Sequence, residues 1–122
     1  MNIPHGFISL FEPDGCHATI QCGIGRYKER VGDSTRFSGK GIYAEVLRTG
    51  KMVIVNDYSN WANRLASPFT ESMTASMQAP LAIDGKIIGC IGLSAFGEPF
   101  VVDQAKLSVF EQMATVATIA VK

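Results

Sequence analysis

The chain has 122 residues, 47% of them hydrophobic, with Lys plus Arg equal to Asp plus Glu at 11 each. That length fits one domain with its own core, and that composition excludes a disordered chain. The charge balance gives no electrostatic reason to expect nucleic acid or an anionic membrane surface as partner.

No apolar run reaches the roughly 18–20 residues of a membrane span. Met1-Asn2-Ile3-Pro4-His5 lacks the basic start and apolar stretch of a signal peptide. Three cysteines, an odd number, do not make a disulfide framework. The expectation is a cytoplasmic protein with reduced thiols, no nucleic-acid partner and no membrane partner.

Residues 7–12 are rich in apolar and aromatic types and run into Pro13-Asp14-Gly15, a hairpin signal. Residues 16–22 then alternate, with Cys16, Ala18, Ile20 and Cys22 on one side and His17, Thr19 and Gln21 on the other. Residues 23–38 read as a long polar loop, and Arg26, Lys28 and Arg30 within it as a solvated charge run.

Gly39-Lys40-Gly41 opens a short helical pattern over 42–49, with Ile42, Val46 and Leu47 on one side and Gly50 as its stop. Residues 52–55 predict a short buried strand. Residues 56–76 show no sustained period, and an irregular stretch of that length is usually functional.

Residues 77–83 predict a strand in which Pro80 demands an edge or a bulge. Asp84-Gly85 marks a second tight hairpin. In the next strand, 87–95, Gly89 and Gly92 predict close backbone approach near the sheet centre. Asp103 caps a final helix that runs nearly to Lys122. Two hairpins exclude a parallel sheet of crossovers, so the fold class is α+β, with an antiparallel sheet and helices packed on one face.

In this order the motifs resemble a GAF domain, a ligand-binding module of signalling proteins related in shape to PAS domains. Gly6-Phe7-Ile8-Ser9-Leu10 with Pro13-Asp14-Gly15 resembles the first hairpin of that family. Residues 41–46 with Gly50-Lys51 and Val53-Ile54-Val55-Asn56-Asp57 resemble its helix–strand unit. Asp57-Tyr58-Ser59-Asn60-Trp61 and Arg64 resemble the segment after that strand. Ala79-Pro80-Leu81 with Gly85-Lys86-Ile87-Ile88-Gly89 resembles its most recognisable hairpin, and Phe100-Val101-Val102-Asp103 the entry to its last helix.

The resemblance spans almost the whole chain as a single unit, 1–122. It implies a bacterial signalling protein, such as a sensor kinase or a regulator of a nucleotide cyclase. It also implies a helix ahead of the first strand. The sequence begins almost at that strand, so the expectation is an N-terminally shortened domain whose first helix is missing.

Convergent catalytic groups are scarce. Cys16 and His17 are adjacent, but neighbours on a strand point to opposite faces and cannot act as nucleophile and base. Cys22 and Cys90 read as small buried thiols, and no metal motif is present.

Free methionine-(R)-sulfoxide reductases resemble GAF domains but carry reactive cysteines in two stretches. Those stretches read here Gly41-Ile42-Tyr43-Ala44 and Arg64-Leu65-Ala66-Ser67, with no cysteine. Residues 68–76 lack the cysteine that attaches a bilin. Ala95-Phe96-Gly97 replaces the Asn-Lys pair of cyclic-nucleotide GAF domains. No cofactor is implied.

The better candidate is the segment 57–77. It holds Tyr58, Trp61, Arg64, Phe69, Met73 and Met77, aromatics and adaptable thioethers with one guanidinium, which suit a small pocket with one polar anchor. Arg64 is the expected anchor for a carboxylate or phosphate. The alternative is that Trp61 and Phe69 plug the sheet end and Arg64 pairs with Asp57.

The expected function is a non-catalytic sensory domain for a small organic ligand, with a dimerisation module bearing a vestigial pocket as the alternative. The final helix carries a seam of Leu107, Phe110, Ala114, Ala117 and Val121. A second apolar stripe is formed by Val109, Met113, Val116 and Ala120. Together they predict a homodimer through 103–121.

Overall fold

The computed structural model describes residues 5–37 and 39–97, and from the last segment Gln104, Leu107, Ser108, residues 110–112 and Thr115. Among the described residues six strands form one sheet: β1 (His5–Phe11), β2 (His17–Ile24), β3 (Ser34–Arg36), β4 (Val53–Val55), β5 (Met73–Ile83) and β6 (Lys86–Phe96). Their order is β3-β2-β1-β6-β5-β4, and every pairing is antiparallel. The α+β antiparallel architecture expected of a GAF-like fold is therefore the one observed. β6, with its two glycines, lies near the centre between β1 and β5.

Local chemistry explains the turns. Asp84 and Gly85 both take positive φ, 51° and 78°, the signature of the type I′ hairpin turn that Asp-Gly favours. The Asp14 carboxylate accepts the N–H groups of Cys16 and His17 at 2.8 and 3.1 Å and closes the first hairpin. The helix α1 (Gly41–Thr49) stops at Gly50, whose N–H donates to the Val46 carbonyl at 2.8 Å. Pro80 lies in the part of β5 beyond its pairing with β4, where, among the described residues, β6 alone is paired with it, as a missing N–H requires.

The loop expected over 23–38 is more structured than the sequence suggests. β2 continues to Ile24, a 3-10 helix spans Gly25–Arg30, and β3 comes next. Hydrophobic periodicity does not reveal these elements because they are short; Lys28 and Glu29 face water as a solvated charge run would, whereas Arg26 bonds Ser72 and Arg30 stacks on Phe69.

Among the described residues three bulges re-aim side chains. Ile8 pairs with Cys22 and Ser9 with Ile20, so Gln21 is an extra residue. Met73 pairs with Phe96 and Ala75 with Ala95, which leaves Thr74 over. Leu81 pairs with Gly89 and Ala82 with Ile87, which leaves Ile88 over. An extra residue shifts the two-residue alternation by one and turns the rest of the strand to the other face. Cys22, expected on the buried face beside Ala18 and Ile20, is for this reason exposed on the opposite one.

The sheet has two apolar faces. One carries Phe7, Ile20, Met73 and Cys90 and packs against Ile42 and Val46 of α1. The other carries Met77, Ala79, Leu81 and Ile91 and packs against Phe110, with Leu107 beside it. The described helical residues therefore occupy both faces, where the sequence pattern places helices on one. Both faces of β5 and β6 are apolar, and each needs a cover. The rest of the expected dimer seam and the whole second stripe lie outside the described residues. Among the described residues no helix is long and apolar enough to cross a membrane.

Candidate functional site

A cavity of about 150 Å³ lies between the first sheet face and the segment after β4. Phe7, Ile20, Met73 and Gln78 form its floor. Tyr58, Leu65, Ser67, Phe69 and Thr70 cover it. Arg30 and Tyr27 close one side from the 3-10 helix, and the first turn of α1 closes another.

The covering segment is tied down at defined points. The Gly41 N–H donates to the Asn63 carbonyl at 2.7 Å. Gly41 has φ of 86°, and a Cβ there would meet the Leu65 Cβ at 3.1 Å. Only glycine tolerates both the backbone angle and the close approach. The Tyr58 hydroxyl accepts the Leu65 N–H at 3.1 Å and donates to the Leu65 carbonyl at 3.4 Å. At the other end the Arg26 Nη1 donates to Ser72 Oγ at 2.6 Å. The Arg26 guanidinium lies 4.3 Å from the Phe96 ring centre and 5.2 Å from that of Phe69.

The polar groups on the cavity wall are mostly paired. The Tyr27 hydroxyl sits 2.9 Å from Ser94 Oγ, which is 2.9 Å from Ser76 Oγ. The Tyr43 hydroxyl is 2.8 Å from Ser9 Oγ. Burial pushes the phenols of Tyr27, Tyr43 and Tyr58 upward, so all three are neutral hydrogen-bonding groups at ordinary pH. Gln78 Oε1 accepts the Cys90 thiol at 3.3 Å, and burial raises that thiol as well.

Arg30 is the charged group on the wall. Its Nε lies 2.7 Å from Asp33 Oδ2, but the N–H is not aimed at that oxygen, so the contact is an ion pair without a hydrogen bond. Its guanidinium carbon stands 4.4 Å from the centre of the Phe69 ring, within cation–π range.

Of the residues named from the sequence, Tyr58, Phe69 and Met73 come together on this cavity. Trp61 does not line it. It is half-buried and packs on Tyr58 with ring centres 5.8 Å apart. Arg64 is exposed, and its Nη1 turns back to the Trp61 carbonyl at 3.2 Å. The alternative Arg64–Asp57 pair is not formed either, because Asp57 accepts from Ser59 and Asn60. Met77 belongs to the core of the opposite face.

Sequence reasoning missed Tyr27, Arg30 and Gln78. The available signal was Tyr27, a lone aromatic inside the charged stretch Arg26-Tyr27-Lys28-Glu29-Arg30, which marks an element with one buried side.

The remaining chemistry-bearing groups lie elsewhere. Cys16 is half-buried beside the first hairpin turn and Cys22 is exposed on the other sheet face. Glu12, Asp14 and His17 gather at the exposed hairpin end. There Asp14 is already engaged with two backbone N–H groups and with His17 Nδ1 at 2.6 Å. The Cys16 N–H, more than any other partner, lowers the Asp14 carboxyl.

Comparison with curated proteins gives no match. Among solved structures, the chain superposes on a type II free methionine-R-sulfoxide reductase from Thermoplasma acidophilum. The TM-score is 0.74 at 14% identity, covering 93% of this chain and 75% of that one. It superposes equally on the GAF domain of an Acinetobacter phosphoenolpyruvate-protein phosphotransferase, at 0.74 and 16%, covering 95% and 70%. A GAF domain/HD domain protein from Geobacter sulfurreducens gives 0.74 at 10%, covering 96% and 79%. At these identities the likeness is one of fold, and it includes both an enzyme and GAF domains of larger proteins. The family model described as GAF domain matches residues 1–122, and the chain belongs to the GAF domain family.

Proposed function

We propose that this GAF domain is a non-catalytic sensory module that binds a small organic ligand in the cavity between its sheet and the segment 57–72. The observation that carries the reading is the cavity itself, largely apolar in its walls, with a few polar groups and one guanidinium at its margin. That combination is characteristic of small-molecule sites. The covering segment is a long connection held at its two ends, the arrangement of a lid on a rigid scaffold.

The chemistry of the wall supports binding over catalysis. Its phenols are held neutral, and the thiol beneath it, Cys90, is fully buried and raised, which is the opposite of an activated nucleophile. The two stretches that carry reactive cysteines in the reductases have none here. Ligand binding would act on signalling by favouring one lid arrangement over another, which requires differential affinity for the two.

The test is a thermal-shift screen of a metabolite library on the native chain and on Thr35→Trp, a bulky replacement of a residue that lines the cavity. The expected result is a stabilising ligand whose effect disappears in the folded variant. A library without any stabilising member, or one whose hits bind Thr35→Trp equally well, refutes the reading.

A further inference from the structure

The cavity wall also points to the class of ligand, an inference that rests on the sensory reading above. We infer that the site selects a small monocarboxylate with a compact apolar body about the size of a benzene ring, held through Arg30 and not through Arg64.

Size comes first. A protein cavity of about 150 Å³ accommodates a benzene-sized molecule, and this one has that volume. It is too small to enclose a nucleotide. Shape comes second. The rings of Phe7, Tyr27, Tyr43, Tyr58 and Phe69 all reach the wall, and such rings favour a flat or compact apolar body in offset or edge contact.

Charge comes third. Arg30 is the one cationic residue among the described lining residues, and no Asp or Glu stands with them. The Asp33 carboxylate beside Arg30 is already paired with it and is not among the lining residues, so an ammonium group on the ligand would enter beside a cation with no free counter-charge, which disfavours amino acids and amines. A carboxylate finds the guanidinium.

Arg30 is prepared for that role. Asp33 lies at its Nε edge, and the Phe69 ring lies against the guanidinium at 4.4 Å. Among the described residues its two terminal nitrogens carry no hydrogen-bond partner. A pair of parallel N–H donors matches the two oxygens of a carboxylate. The Arg30 side chain is 33% exposed, so the charged end of the ligand stays near water while its apolar body goes inward. The cost of stripping water from the carboxylate is then only partial.

The experiment is an NMR titration of the isotopically labelled native chain with four probes: benzoate, 4-methylpentanoate, benzamide and phenylalanine. The expected result is that the two acids bind, that benzamide binds about tenfold or more weakly, and that phenylalanine is weaker still. Arg30→Gln is expected to reduce acid binding to the level of the amide, while Arg48→Gln, a charge control on the exposed side of α1, leaves it unchanged.

Benzamide or phenylalanine binding as well as benzoate, or Arg30→Gln retaining acid binding, overturns the carboxylate inference while the sensory cavity stands. Silence from all four probes overturns the inference too. The metabolite screen with Thr35→Trp then decides the sensory reading separately.

Discussion

Met73 and Met77 are four residues apart on the same strand yet face opposite sides of the sheet. Met73 reaches the cavity and Met77 sits fully buried in the other core, because the bulge at Thr74 turns the strand by one residue between them. Two thioethers of equal size therefore have unequal tasks, and their truncation separates stability from binding. Met77→Ala leaves a void among Leu81, Ile91 and Phe110 and is expected to lower stability by about 2–5 kcal/mol in urea unfolding, with ligand affinity intact. Met73→Ala opens into an existing cavity, so its cost is expected at the lower end, about 2 kcal/mol, with a clear change in ligand preference toward larger bodies. Equal losses of stability with unchanged ligand preference in both variants would contradict this division.

Gly89 carries a second expectation. A Cβ at this position would collide with the Ser9 carbonyl oxygen of β1, a backbone atom that moves only with its strand. Gly89→Ala is therefore expected to separate β1 from β6 at the sheet centre and to cost about 1–3 kcal/mol or more. Gly85→Ala is a useful comparison, since nothing lies within 4 Å of that position and its φ of 78° is the only obstacle. Urea midpoints of the two variants decide the matter, and a Gly89→Ala protein as stable as the native chain would refute the close approach.

Alkaline pH supplies a third. The chain has three tyrosines, and burial raises all of them. The folded state holds these protons more tightly than the unfolded chain, whose phenols titrate near about pH 10. Their contribution is therefore complete below that value and declines as pH rises above it. Tyrosinate absorbance is expected to appear together with loss of the far-ultraviolet circular dichroism of the sheet. A tyrosine that titrates near its ordinary value while the sheet signal remains intact would show that at least one phenol is not buried as described.

Much of this molecule is written in short stretches of sequence. Pro13-Asp14-Gly15 and Asp84-Gly85 carry their turns because their backbone and side-chain chemistry is local. The helix ending at Gly50 and the strand that tolerates Pro80 are legible for the same reason. The ordered series of these signals also carried the family. Tertiary structure alone decided the composition of the site. Bulges at Gln21 and Thr74 moved Cys22 and Met77 off the cavity face, and alternation along a strand cannot reveal a residue inserted against its partner. Arg30, rather than Arg64, reaches the cavity because the 3-10 helix Gly25–Arg30 folds over the sheet and meets Phe69. The Arg26–Ser72 bond across 46 residues fixes the covering segment beside it. Contacts that distant in sequence form only when the sheet has brought their strands together, so no local pattern records them.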